Sequence, residues 1–373
     1  MQPFENEIHS DTLTPWRPAH PRNDHQGFFP LSEDRILFFW CEYYITQPSR
    51  AFATAYAKTR SNDASPCRIS GKISTDRGRT WSDTITLQEN VGVDNVKHPN
   101  LVRIPSGRIL FSYTVRDIGN QDLKVMLKHT DDECESFRES RVISPEGGVY
   151  FTNADHILMH SSGRIILPCH AGPFYGKGDH WKAFCLYSDD DGETWSESSK
   201  KIDLPKRGAE EPAVIERKDG SLFALLRTSL GKLYQSVSLD RGETWSEAMA
   251  TDLDSPSSAT CMKRIPSTGD LLLIWNNAEP YWMTIEGSDA THHPRNPLTC
   301  AISRDDGETW ECVQDIENRH GYSAGYPSVS FFGDEAFVAY YSNVNSGVVG
   351  IVSEVKLKIF PIGWFYETEP VRI

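Results

Sequence analysis

Short apolar or alternating runs bounded by turn residues recur along the whole chain, and the 3.6-residue spacing of an amphipathic helix is hardly seen. Trp181-Lys-Ala-Phe-Cys-Leu-Tyr187 and Leu298-Thr-Cys-Ala-Ile302 are representative strand-like runs. Such runs lead into an octapeptide, Ser-x-Asp-x-Gly-x-Thr-Trp, that occurs four times: Ser74 to Trp81, Ser188 to Trp195, Ser238 to Trp245 and Ser303 to Trp310. A worn fifth copy runs from Thr130 through Asp132, Cys134 and Ser136 to Phe137. The chemistry is that of a hairpin turn. Asp accepts hydrogen bonds from turn amides, Gly supplies a positive φ, Ser or Thr caps the loop, and Trp packs between strands. The octapeptide is therefore structural and not catalytic.

A second hairpin precedes each octapeptide, at Val102 to Leu110, Met159 to Ile166, Val214 to Leu222 and Met262 to Leu273. Two hairpins in each roughly 50–65 residues give four antiparallel strands, the content of one propeller blade. The expected architecture is all-β, a six-bladed β-propeller built as a single domain over residues 1–373, with seven blades as the alternative. First strands are expected to begin near His25, His98, Ala154, Glu211, Ala259 and Tyr326. The sixth unit lacks the octapeptide, and its last strand is expected from the amino-terminal segment.

In such a ring the first residues of the innermost strands converge on one pocket. The segments starting at His25, His98, Glu211 and Tyr326 overlay without gaps through their turns. The third unit overlays with Ala154 in the slot and Asp155-His156 beside it. Ionisable or phenolic groups at four of six equivalent places point to a ligand site. A second inner position, before the third strand of each unit, holds Pro66, Asp122, His180, Leu230 and Arg295, a less uniformly polar set. Arg227 ends the hairpin that Glu211 begins.

Composition narrows the partners. A net charge of −14 argues against nucleic acid or an anionic membrane surface, and no run approaches the roughly 20 apolar residues of a membrane-spanning helix. The amino terminus shows no basic start followed by an apolar run, and the eight scattered cysteines form no C-x-x-C pair. Buried free thiols and a cytoplasmic location are the corresponding expectations. His292-His293 lacks zinc-motif spacing and no phosphate-cradling glycine loop occurs, so no metal or cofactor is expected.

The four octapeptides, the stretch Glu210-Glu211-Pro-Ala-Val through Leu226-Arg227, and Arg295 followed by Tyr326 resemble the sialidase (neuraminidase) superfamily of Asp-box propellers across nearly the whole chain. The resemblance implies Tyr326 as nucleophile, Glu211 as the base that takes its proton, and Arg227 and Arg295 as a clamp on a substrate carboxylate. A phenol is a weak nucleophile at its ordinary pKa near ~10 and needs such a base. The family's first arginine, within an R-I-P motif, is replaced at the first slot by His25, while Arg103-Ile-Pro lies five residues too late and Arg22 is out of register. Asp63 matches the family's acid/base aspartate, with Glu42 as fallback. His98 is a further candidate for proton transfer; Asp155, His156, His180 and Glu210 are candidate substrate contacts. The expected function is an exo-acting glycoside hydrolase on an acidic or polar terminal sugar. A uronate lyase using His and Tyr, and a non-catalytic carbohydrate-binding propeller, are the alternatives.

Overall fold

The computed structural model describes residues 8–32, 35–45, 63–176, 178–278, 295–344 and 352–367, together with the short strand pair Met283–Thr284 and Thr291–His292. The described residues are almost all strand and turn. One antiparallel sheet orders Asn23–Ser32, Arg35–Tyr43, Cys67–Ser74 and Ile85–Gln88. Two further four-stranded sheets begin at Glu210–Glu216 and at Cys261–Arg264. A nine-stranded sheet between the first and these holds two hairpin sets, one starting with Asn95–Arg103 and one with Val149–Thr152, joined where Val149 pairs in parallel with Leu123. The last sheet is made from both ends of the chain. His9–Thr14 pairs antiparallel with Glu354–Pro361, so the expected contribution of the amino-terminal segment is met.

Six apolar clusters lie between successive strand sets. Phe29, Leu37, Phe111 and Tyr113 join the first set to the second, and Leu110, Val125, Ile165 and Phe184 join the two halves of the nine-stranded sheet. Phe28, Phe38 and Trp40 meet Phe337, Leu357 and Ile359, which packs the last sheet back on the first. All eight cysteines are buried, and none is joined to another in a disulfide.

The octapeptide turns supply the spacers between sheets. In each of the four full copies the Asp carboxylate accepts from the Thr amide and hydroxyl, and the Ser hydroxyl accepts from the Gly amide. Gly78 has φ +75°, and a Cβ there would come within 2.3 Å of the Phe337 ring of the last sheet, so the position excludes any side chain. Among the described residues, no helix is long and apolar enough to cross a membrane.

One backbone device positions the site. The innermost strands are bulged at the same place: the ladder slips between Asp24 and Gly27, Lys97 and Asn100, Glu210 and Ala213, and Gly325 and Ser328. The first residue inside each slip takes a left-handed conformation: His25 (φ 50°), His98 (58°), Glu211 (40°) and Tyr326 (47°). Non-glycine residues in this region are costly, on the order of 1–3 kcal/mol each, and are held only where surrounding structure demands it. A bulge turns its side chain out of the alternating pleat. Here four such turns aim four polar side chains at one pocket. In the third unit the equivalent left-handed residue is Asp155 (φ 60°) and not Ala154, because the chain breaks into a turn between Val149–Thr152 and Leu158–Met159.

Candidate active site

The bulged residues line a cavity of about 220 Å³. The Tyr326 hydroxyl donates to Glu211 Oε1 at 2.9 Å, and Arg227 Nη1 donates to Glu211 Oε2 at 2.7 Å and to the Tyr326 oxygen at 3.4 Å. Arg295 lies with its guanidinium 5.2 Å from the Tyr326 ring centre and donates to the Tyr341 hydroxyl at 3.0 Å. Ser257 braces both cations, accepting from Arg227 on its hydroxyl and from Arg295 on its carbonyl. Burial and the adjacent Glu211 carboxylate push the Tyr326 phenol well above its usual range. Burial alone would raise Glu211 as well, but the Arg227 guanidinium outweighs it and pulls the carboxyl down to about 2. Glu211 is thus a carboxylate, ready to accept.

Behind Glu211, His170 accepts from the Glu211 amide on Nδ1 at 3.3 Å and stacks on Phe151 with ring centres 5.1 Å apart. Glu210 and Asp179 hold Arg207, with Nη1 3.0 Å from a Glu210 oxygen and Nε 2.8 Å from Asp179. Burial raises the Glu210 carboxyl.

The opposite wall carries a second ionic cluster. Arg22 is buried and bonded to Asp24 and, through Nη1 at 2.9 Å, to Asp63. Lys97 Nζ stands 3.5 Å from Asp63, Arg116 donates to the Asp63 carbonyl at 3.1 Å, and the Tyr175 hydroxyl donates to the Asp63 carboxylate at 3.0 Å. Burial opposes ionisation of Asp63, yet Lys97, Arg22 and Arg116 together hold it well below the ordinary carboxylate range. Between the walls, His25 bonds Asp24 at 2.6 Å and lies with its ring centre 4.1 Å from Tyr326 and 4.7 Å from His98. Burial lowers the pKa of both imidazoles, most strongly for His98, which is neutral.

Of the residues singled out from the sequence, Tyr326, Glu211, Glu210, Asp63, His98, His25, Arg227 and Arg295 line this cavity. Three do not. Asp155 bonds Lys263 at 2.8 Å, and His156 is held by the Ala154 and Thr260 carbonyls; both line a different cavity, of about 690 Å³. The cause is the turn that replaces a continuous inner strand in the third unit. His180 lies half-buried outside the pocket, where it bonds Asp203 at 2.7 Å and the Lys206 carbonyl at 2.8 Å. Glu42, the fallback for Asp63, is occupied by Arg68 and Ser70 away from the pocket. Arg22, Lys97, Arg116, His170, Tyr175 and Tyr341 were not picked out. Arg116, His170 and Tyr341 lie at the same end of a second strand as Arg227, and that shared position is the signal that would have found them. Among the described residues, the side chains with metal-ligand spacing are Asp24, His25 and Cys41, whose donor atoms lie within 4.8 Å of one another. Both Asp24 oxygens are already engaged, by Arg22 and by His25, and the Arg22 cation opposes a metal there.

The sheets, their repeated turns and an ionic pocket with a tyrosine–glutamate pair define a class of all-β protein built from recurring strand sets. The description of the BNR repeat-like domain matches residues 48–338, and the chain belongs to that family, within the sialidase superfamily. It is 24% identical over 218 residues to the anhydrosialidase of Macrobdella decora, covering 55% of this chain and 26% of that protein. It is 27% identical over 203 residues to a sialidase of Paraclostridium sordellii, covering 48% of this chain and 49% of that one. Its match therefore spans no more than about half of either relative. In fold it is similar to a mutant Trypanosoma rangeli sialidase displaying trans-sialidase activity (TM-score 0.69, 17% identity, 96% of this chain and 60% of the other). A Dyadobacter fermentans protein of unknown function is also similar (TM-score 0.71, 17% identity, 95% and 99%).

Proposed function

We propose that this chain is a six-bladed β-propeller and an exo-acting glycoside hydrolase that releases an acidic terminal sugar, with Tyr326 as nucleophile and Glu211 as its base. The observation that carries the reading is the 2.9 Å hydrogen bond from the Tyr326 hydroxyl to a Glu211 carboxylate inside a cation-lined pocket. The six apolar clusters between successive strand sets, the last joining the two ends of the series, support the blade count. A cavity of about 220 Å³ lies below the roughly 300–1,000 Å³ of drug-sized pockets, which favours one sugar residue over an internal stretch of polymer.

In the proposed reaction the Tyr326 oxygen bonds to the anomeric carbon while its proton passes to Glu211. The bond to the leaving oxygen breaks, and that oxygen takes a proton from Asp63, which is ionised in the empty site and must first gain that proton from solvent when substrate binds. Water then attacks the same carbon as its bond to the Tyr326 oxygen breaks; the water's proton goes to Asp63, and Glu211 returns a proton to the released Tyr326 oxygen. Sialidases are a recognised departure from the two-carboxylate scheme. Arg227 has two tasks that conflict in the empty site, because it lowers the basicity of Glu211 while awaiting a substrate carboxylate. Engagement of that carboxylate by Arg227 and Arg295 would loosen the grip on Glu211 and make it a better base as substrate arrives.

The test is a panel of sialosides, uronides, and arabinosyl and rhamnosyl conjugates, following released sugar with Tyr326→Phe as control. Release that the substitution abolishes supports the proposal; binding of sugar without release by the wild-type protein refutes it. A second reading, a uronate lyase, is favoured by the His25–Tyr326 ring contact at 4.1 Å. It predicts new ultraviolet absorbance from an unsaturated product and no uptake of water.

A further inference from the structure

The positive charge of the pocket is distributed unevenly. On the Tyr326 side, Arg207, Arg227 and Arg295 are offset by Glu210 and Glu211 in the lining and by Asp179, which pairs with Arg207 from outside it, three against three. On the opposite side Arg22, Lys97 and Arg116 face Asp24 and Asp63, three against two. Lys97 is 2% exposed and Arg116 1%. Among the described residues the Lys97 ammonium has no hydrogen bond, its nearest carboxylate oxygen being 3.5 Å away, and Arg116 Nε is buried without a partner. Lys97, over the Tyr43 ring and beside Asp63, and Arg116, bonded to the Asp63 carbonyl, are thus only partly compensated, and a ligand anion would complete them.

Resting on the glycosidase reading above, we propose that the wall formed by Lys97 and Arg116 is a second anion subsite, and that the substrate is a terminal sugar acid carrying a further anionic substituent such as a sulfate or phosphate. The first carboxylate goes to Arg227 and Arg295, and the second group to Lys97 and Arg116, across the His25 and His98 rings. Tyr175 and Phe151 flank the Arg116 guanidinium at 5.2 and 5.3 Å and fix its plane. Occupation of this subsite has a catalytic consequence. The cations that keep Asp63 ionised are those the second anion would neutralise, so a doubly charged substrate frees Asp63 to carry the proton needed by the leaving oxygen.

The experiment titrates the full chain calorimetrically with free sugars in pairs: N-acetylneuraminate and its 9-phosphate, and glucuronate with its 2-sulfate and 3-sulfate. The expected result is that at least one doubly charged member binds tenfold or more tighter than its singly charged partner. In Lys97→Met, and separately in Arg116→Gln, that ratio falls below threefold while the thermal melting transition stays cooperative. Equal affinities within every pair, alongside Tyr326-dependent release from singly acidic glycosides, overturn the second subsite and leave the hydrolase reading standing. A preference for the doubly charged sugar that both variants retain also overturns it. Failure of every sugar acid to bind sinks both readings.

Discussion

Protonation of His170 should undermine the site from behind. Its Nδ1 accepts from the Glu211 amide at 3.3 Å, and an imidazolium has no lone pair there, so the proton and the hydrogen bond exclude each other. Burial, chiefly, drops its pKa from 6.5 to about 3. The unfolded chain therefore binds more protons than the folded one between those values. The stabilisation is fully present above about pH 6.5 and is lost as pH falls toward 3. At ~1.4 kcal/mol per unit, moving from pH 7.5 to 5.0 removes about 2 kcal/mol through this one side chain. Glu211, already down to about 2, contributes little in that window. Urea unfolding of wild type and His170→Asn at the two pH values isolates the effect, since an Asn oxygen can still accept from the amide while carrying no titration. The wild type should lose about 2 kcal/mol more than the variant. Equal losses in the two proteins would refute the neutral, accepting imidazole.

Other outcomes follow from the same geometry. Glu211→Gln should leave the fold intact but cut turnover by at least about 100-fold, the usual loss with a general base, checked by initial rates on any substrate the panel yields. Gly78→Ala should cost about 1–3 kcal/mol, because its Cβ meets the Phe337 ring at 2.3 Å; Phe337→Leu in the same chain should recover part of that in thermal melts. Asp305→Ala removes the acceptor of the Thr309 amide and hydroxyl and should cost roughly 1–3 kcal/mol, measured by urea denaturation. Removal of the strand His9–Thr14 should expose the edge of Glu354–Pro361 and lower the melting temperature sharply.

The strand order was legible because it is written in local chemistry. Four octapeptides repeat the same turn bonds, and a hairpin needs only its own residues to be recognised. His25, His98, Glu211 and Tyr326 were found because their turns align and each occupies the same step of a strand. Lys97, Arg116 and Tyr175 were not, since each reads singly as an ordinary surface charge or loop aromatic, and Arg22 was set aside because it lies out of register with the slot that His25 occupies. What buries them is the approach of separate sheets around Asp63, and no local pattern records that meeting. Asp155 and His156 failed for the opposite reason. They sit beside the right slot, but a turn specific to that unit sends the Asp155 carboxylate to Lys263.

The pairing of His9–Thr14 with Glu354–Pro361 also sets a timetable. Thr14 and Val355, bonded at 3.1 Å, are 341 residues apart in the chain. At ~5–20 residues per second, a ribosome takes tens of seconds to make the partner that the first strand awaits. Throughout that interval the first strand has an unsatisfied edge, which would invite pairing with neighbouring nascent chains if it were flat and apolar. His9-Ser10-Asp11-Thr12-Leu13-Thr14 is neither: Ser10, Asp11 and Thr12 are polar, and Leu13 is the single large apolar side chain buried in the finished sheet. The segment is sticky enough to complete the last sheet and too hydrophilic to aggregate while it waits.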